Sequence, residues 1–265
     1  MNAVLPQAGD APLLQVRGVG LHFGAIAALQ SASFDLWPGE VLAIVGESGS
    51  GKSTLLDVVA GRQRPDNGQV LYCTTAGEWV DVHAMPESQR QLLARTDWGF
   101  VHQHAGDGLR MDVSAGANIC ERPMALGQRH YGRLRATALQ WLDRVEIARE
   151  RIDDTPRTFS GGMRQRLQIA RNLVTRPRLV LMDEPTTGLD VSVQARLLDL
   201  LRHLTRELRL AALVVTHDLA VARLLADRTL VMQQGRVVEA GLTDQVFDDP
   251  QHAYTQLLVS SVLQP

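Results

Sequence analysis

Residues 46–53 read Gly46-Glu47-Ser48-Gly49-Ser50-Gly51-Lys52-Ser53, the spacing G-x-x-x-x-G-K-[ST] whose chemistry is the holding of phosphate groups. Glycines let the backbone turn tightly with its N–H groups facing inward, and the positive end of a following helix adds to their attraction for phosphate oxygens. Lys52 is placed to reach the β and γ phosphates of a nucleoside triphosphate, and the Ser53 hydroxyl to hold Mg2+. Lys52 is also the single lysine of the chain: the other members of the 27 Lys and Arg are all arginine. Arginine serves surface charge as well as lysine does, but a compact ammonium is what fits inside a tight phosphate loop.

A second chemical group is the pair Asp183-Glu184, preceded by the apolar residues 179–182 and followed by Pro185. Hydrolysis of a nucleoside triphosphate needs an anion beside the metal and a group that orients or deprotonates the attacking water. Asp183 suits the first task and Glu184 the second. Successive side chains of a strand face opposite ways, so the two can act together only where the strand is ending, as Pro185 indicates. A third group is Ser160-Gly161-Gly162 at the start of a helical pattern. Alone it is an ordinary turn, but a serine N-cap beside two glycines also leaves backbone donors for an anion. One phosphate loop is already present, so a second anion-binding helix start points to a nucleotide held by another copy of the chain.

These groups need elements to position them. The apolar run 41–45 predicts a buried strand before the phosphate loop, fed by a Pro38-Gly39 turn, and a helix follows from Ser53. Residues 13–17, 31–36, 69–72 and 79–83 read as strands, so the first third is largely β. A helix is expected over 86–95 and a short strand over 98–103, ending on Gln103. From 104 to 157 the pattern is helical (Leu134, Ala138, Trp141, Leu142, Val145), with no strong strand, which predicts a small helical lobe. Strand and helix then alternate. A helix carries Leu167, Ala170, Leu173 and Val174, a strand covers 179–182, and a helix is lined by Leu197, Leu198, Leu201, Leu204 and Leu208. Strand 213–215 ends at Thr216-His217, strands 229–232 and 236–239 flank Gln234-Gly235, and a tail helix runs from about Ala253. Such alternation predicts an α/β fold with a parallel sheet and crossover helices.

Composition narrows the class. At 265 residues and net charge −2, the chain can bury a sizeable core and shows no basic excess for nucleic acid. Cys73 and Cys120 are the only cysteines. They have neither metal-ligand spacing nor a disulfide framework, so a reducing, cytoplasmic setting is expected. Residues 1–12 are Ala/Pro-rich and lack the basic segment and apolar core of a signal peptide; a loose end is expected there. No apolar run is long enough to span a bilayer, so a membrane role would need a partner.

Together, and in their order along the chain, these motifs resemble the ATPase subunits of the ABC superfamily. The likeness covers about residues 13–241. Phe23 falls at the adenine-stacking position, 46–53 is Walker A, and Gln103 ends the Q-loop strand. Residues 159–163 match the signature usually written L-S-G-G-Q, 179–183 is Walker B, Glu184 is the catalytic glutamate, 187–190 is the D-loop and His217 is the switch histidine. The resemblance implies an ABC-type P-loop nucleotide-binding domain over 13–265, with a small antiparallel β region and a helical subdomain at about 104–157. It further implies ATP and Mg2+ as ligands and a head-to-tail dimer that sandwiches two ATP molecules. Phe23, residues 46–53 and Thr54 would bind nucleotide from one copy, and Ser160, Gly161, Gly162 and Asp190 from the other. Ser53, Gln103 and Asp183 would attend the metal, and Glu184, His217 and Gln103 the hydrolysis. Two departures stand out: Met163 replaces the glutamine of the signature, and Gly188 makes the D-loop supple.

Within the superfamily, 159–163 and 249–258 look like the peptide and nickel importer ATPases. A nearer likeness is to the ATPase-like protein of the bacterial phosphonate carbon–phosphorus lyase system. It rests on residues 96–104, 107–110, 113–119, 129–132, 151–154 and 260–264, which lie largely outside the hydrolytic motifs. That likeness implies soluble lyase core subunits as partners, whereas the importer likeness implies a membrane permease. The radical chemistry would belong to another subunit, since this chain has no cysteine cluster for an iron–sulfur centre. An ATP-operated clamp with little hydrolysis is a third reading. The interval from Gln103 to Ser160 is too short for the coiled-coil insertion of DNA-repair ABC proteins.

Overall fold

The structure is a computed structural model that describes residues 11–262. Residues 1–10 of the expected loose end, and Leu263 and Gln264 of the family-like tail, lie outside the described residues. In chain order the elements are β1 (Leu14–Phe23), β2 (Ile26–Leu36), β3 (Val41–Val45), α1 (Lys52–Val59), β4 (Asn67–Cys73), β5 (Trp79–Asp81), α2 (Glu87–Thr96) and β6 (Trp98–Val101). Then come α3 (Ala115–Ala125), α4 (Tyr131–Arg144), α5 (Gly161–Leu173), β7 (Leu179–Asp183), α6 (Val191–Leu208) and β8 (Ala211–Val215). The chain closes with α7 (Leu219–Leu225), β9 (Arg228–Gln233), β10 (Arg236–Leu242), α8 (Thr243–Asp248) and α9 (Ala253–Val262). Contacts divide it into two units, one built up to Arg90 and from Arg209 onward, the other from Gln91 to Leu208.

In the first unit β3 is flanked by β8 and β9, both parallel to it, and β10 runs antiparallel to β9. All five residues of β3 are buried, as expected of a parallel strand covered on both faces. Ala43 and Val45 share a cluster with Leu219, Ala222, Val231, Val246, Phe247 and Tyr254, so α7, α8 and α9 cover the end of β3 that leads into the phosphate loop. A separate antiparallel sheet has the order β2-β1-β4-β5. β1 and β2 are longer than the alternation of 13–17 and 31–36 suggests. Register shifts carry the pairing on to Leu21↔Leu29 and Phe23↔Ile26, and such irregularities hide the period of two.

In the second unit β6 and β7 pair in parallel, Trp98 with Leu179 and Val101 with Met182. Residues 104–157 hold α3, α4 and short 3-10 turns at Arg149–Asp153 and Pro156–Thr158. Leu134, Ala138, Trp141 and Leu142 form the buried stripe of α4. Arg122 on α3 is buried and donates to the Asn172 side chain at 3.1 Å and to the carbonyls of Arg95 and Trp98. Desolvation, aided by the nearby Arg171, lowers its pKa to about 10.

Two expectations need correction. β6 stops at Val101, so Gln103 lies past the strand and does not end it. The reason is that His102 donates its N–H to Gln168 Oε1 at 2.7 Å and its carbonyl accepts from Gln165 and Gln168 at 3.2 Å, which removes both backbone groups from any ladder. Similarly β5 ends at Asp81 rather than at 83, because the chain turns there with Ala84 N–H donating to the Asp81 carbonyl.

Candidate functional site

The phosphate loop joins β3 to α1 in the first unit. At Gly46 (φ 150°) an added Cβ would lie 2.2 Å from the carbonyl oxygen of Met232 on β9, and at Gly51 (φ 101°) 2.6 Å from that of Ala28 on β2. Only glycine fits at these two pinch points. Gly49 (φ 80°), between them, has nothing within 4 Å of such an atom, so the middle of the loop faces open space. Lys52, 5% exposed, turns back over the loop: its Nζ donates to the carbonyls of Gly46 (2.8 Å) and Glu47 (2.7 Å) and to Ser50 Oγ (3.4 Å). Gly51 caps α1 without any side-chain cap, which suits a helix start meant for an external anion. Ser53 is exposed and Thr54 half-buried on the first turn.

Several neighbours hold this loop. Ser50 accepts from Gly235 N–H at 2.9 Å, and Gly235 accepts from Gln30 N–H at 2.7 Å, tying β2 and the β9–β10 turn to it. The Tyr254 hydroxyl, on α9, accepts from Glu47 N–H at 3.0 Å. His217 is exposed two residues past β8, and the register Ile44↔Val215 sets the end of β8 beside the end of β3, where Gly46 follows. Phe23 is 51% exposed at the tip of the β1–β2 hairpin, opposite Ile26.

The remaining groups lie in the second unit. Asp183 is the last residue of β7, and Glu184 has φ 41°, a left-handed backbone that costs a side-chain-bearing residue of order 1 kcal/mol. The chain thus leaves strand geometry between the two carboxylates, which frees them from pointing to opposite faces. Glu184 Oε2 accepts from Gln103 Nε2 at 3.2 Å and from Thr187 Oγ1 at 2.8 Å. Ser160 caps α5, its Oγ accepting from Met163 N–H at 3.3 Å. A Cβ on Gly162 would meet Val193 Cγ1 on α6 at 2.4 Å, and one on Gly161 would lie 3.6 Å from Leu189, so the start of α5 packs tightly against the start of α6 and makes ordinary contact with the D-loop. Asp190 there is exposed, and Gly188 has φ 76°. Met163, the departure from glutamine, has its sulfur 3.6 Å from Arg151 Nη1, and that guanidinium lies over the Phe159 ring at 4.5 Å.

Among the described residues no three His, Cys, Asp or Glu side chains gather into a metal site. The donors present suit Mg2+, which is held by one or two protein groups together with substrate phosphates. Three participants escaped the sequence reading. Tyr254 lay in a family-like stretch but had no evident task. Thr187 is legible only as part of the D-loop, although a hydroxyl three residues after Glu184 is the signal for its contact with that carboxylate. Gln168 gave no signal, because a glutamine inside a helix usually means a wet surface.

A strand–phosphate-loop–helix unit, with a strand-end carboxylate pair and a capped Ser-Gly-Gly helix start, defines an ATPase class that the comparisons name. The model of the ABC transporter family matches residues 29–187, and the chain belongs to this family, whose ATPase domains hydrolyse ATP. It is 64% identical over 253 residues to the "Putative phosphonates utilization ATP-binding protein PhnK" of Escherichia coli (strain K12), covering 96% of this chain and 98% of that protein. It is also 37% identical to the dipeptide transport ATP-binding protein DppF of the same organism, over 94% of this chain and 76% of that one. Among solved structures, the dimeric post-hydrolysis state of the ATP-binding cassette MJ0796 bound to ADP and Pi matches with TM-score 0.76 and 28% identity, over 87% of this chain and 98% of that one. The fold is therefore that of an ABC nucleotide-binding cassette, α/β with an antiparallel sheet and helical elements, and solved relatives of it are dimers.

Proposed function

We propose that the chain is an ATPase of phosphonate catabolism that closes as a head-to-tail dimer around ATP and acts on the carbon–phosphorus lyase complex in the cytoplasm. The observation that carries this reading is the 64% identity, over nearly the whole length of both chains, to a protein named for phosphonates utilization. Residues 13–265 form one ATPase domain in this reading, and the helical segment 104–157 is the part assigned to partner docking.

Roles follow from the family order and from the geometry inside each unit. Residues 46–54 hold the phosphates, with Lys52 exchanging loop carbonyls for β and γ oxygens, and Phe23 stacks on adenine. Ser53, Gln103 and Asp183 attend Mg2+, which when bound neutralises phosphate charge. Glu184 orients and deprotonates the attacking water, Gln103 holds Glu184 in place, and His217 contacts the γ-phosphate. Ser160, Gly161, Gly162 and Asp190 address the nucleotide of the opposite copy. Hydrolysis reopens the dimer and so drives a cycle.

Native co-purification of tagged protein tests the proposal. Soluble lyase subunits recovered in a nucleotide-dependent manner are expected. A membrane permease in their place would support the second reading, an importer ATPase, which the 37% identity to DppF favours.

A further inference from the structure

We propose that Gln168 is a positioning residue for hydrolysis, acting through the backbone of His102 to hold Gln103 against Glu184. The inference rests on the reading of Gln103 and Glu184 given above and concerns α5, whose interior carries an unexpected polar stripe. Gln165, Gln168 and Asn172 stand three and four residues apart, hence on one helix face, and are 3%, 0% and 2% exposed. Buried amides without partners are costly, and these are partnered by the backbone of Phe100 in β6 and of His102 just past it, by one another, and by Arg122.

Asn172 Oδ1 accepts from Phe100 N–H at 3.0 Å. Gln168 takes both backbone groups of His102: Oε1 accepts the N–H at 2.7 Å and Nε2 donates to the carbonyl at 3.2 Å. Gln165 adds a second donor to that carbonyl at 3.2 Å and accepts from Gln168 at 3.1 Å. β6 has β7 on one edge, and these amides supply hydrogen bonds to its backbone that no strand provides. The amide of Gln168 thus mimics a peptide group and ends the ladder one residue before Gln103.

An independent observation supports the clasp. The chain returns past the same side chain at Gly108, where a Cβ would lie 2.2 Å from Gln168 Oε1, and Arg171 Nη1 donates to the Gly108 carbonyl at 2.7 Å. Further on, Asn118 of α3 grips Arg110 in the same manner, Oδ1 accepting its N–H at 2.8 Å and Nδ2 donating to its carbonyl at 3.0 Å. Residues 102–110 are therefore fastened at both ends by buried amides, with Gln103 one bond beyond the first fastening and 3.2 Å from Glu184. Because α5 begins at the Ser160-Gly161-Gly162 turn, a displacement of that helix start carries His102, and so Gln103, with it.

The test is a double-mutant cycle on the full chain, with Gln168→Met, which keeps the length of the side chain and drops its hydrogen bonds, Gln103→Ala, and the two combined. Gln168→Met is expected to lower kcat for ATP about fivefold or more with KM changed less than about twofold, and to lower Tm. Added to Gln103→Ala, it should leave kcat within about twofold of the single Gln103→Ala value while still lowering Tm. Multiplying kcat losses, or a wild-type kcat for Gln168→Met, would overturn the proposal. Failure of the underlying reading would show separately, as wild-type turnover in Gln103→Ala alone. Should Gln168→Met not fold, Gly108→Ala, which forces the Gln168 carbonyl aside, is expected to give the same pattern against Gln103→Ala and is judged by the same outcomes.

Discussion

At the scale of single residues, Lys52 shows what it takes to bury a cation in a phosphate loop. A buried ammonium must be paid for in hydrogen bonds, and here three oxygens of the loop itself supply them. In the proposed function they are the groups a phosphate would displace, which orients the lysine in advance. Tyr254 does the complementary task for an N–H, fixing Glu47 from a helix 207 residues further along the chain. Tyr254→Phe keeps the ring in its cluster and removes the acceptor. It should weaken Mg-ATP binding about three- to tenfold by calorimetric titration, the worth of one hydrogen bond that holds a competent loop; unchanged affinity would show that the loop keeps its shape without it. Lys52 was legible because its motif names both a residue type and a spacing. Tyr254 was not, because its partner is a backbone group that every residue but proline possesses.

At the scale of elements, the loop is a strand-to-helix turn squeezed between β9 and β2. Gly46→Ala would drive a methyl into the Met232 carbonyl, and backbone cannot yield as a flexible side chain does; a loss of about 3 kcal/mol or more is expected. Gly49→Ala meets only the left-handed φ, at about 1 kcal/mol. Urea unfolding midpoints of the two variants check the order, and equal losses would mean that Gly46 is not pinched. Most elements are legible where the pattern runs uninterrupted: a wholly apolar run in β3, the helical period in α4 and α6. The alternation predicts a shorter β1 and β2 because register shifts at Val19 and Leu21 break it. α7 and α8 were not foreseen, as each is barely two turns long, although Asp218 already offered the cap, accepting from Ala220 and Val221 N–H. The sequence predicts Gln103 on the strand because an apolar run followed by polar residues does not reveal where side chains from a helix take over the ladder.

At the scale of the whole molecule, the ordered motifs made the class readable before any coordinates, since each marks a separate task in binding or splitting ATP. The partner was less readable, because hydrolytic motifs are shared by proteins with different cargo and only the segments between them differ. The central claim is that Lys52 grips ATP in one copy while the helix start at Ser160 closes over it from another. Sedimentation of the Glu184→Gln protein with and without millimolar Mg-ATP tests this most directly. The account predicts a single-chain particle without nucleotide, a two-chain particle with it, and no shift for Lys52→Ala under the same conditions. A Glu184→Gln protein that binds Mg-ATP yet stays a single chain would contradict it.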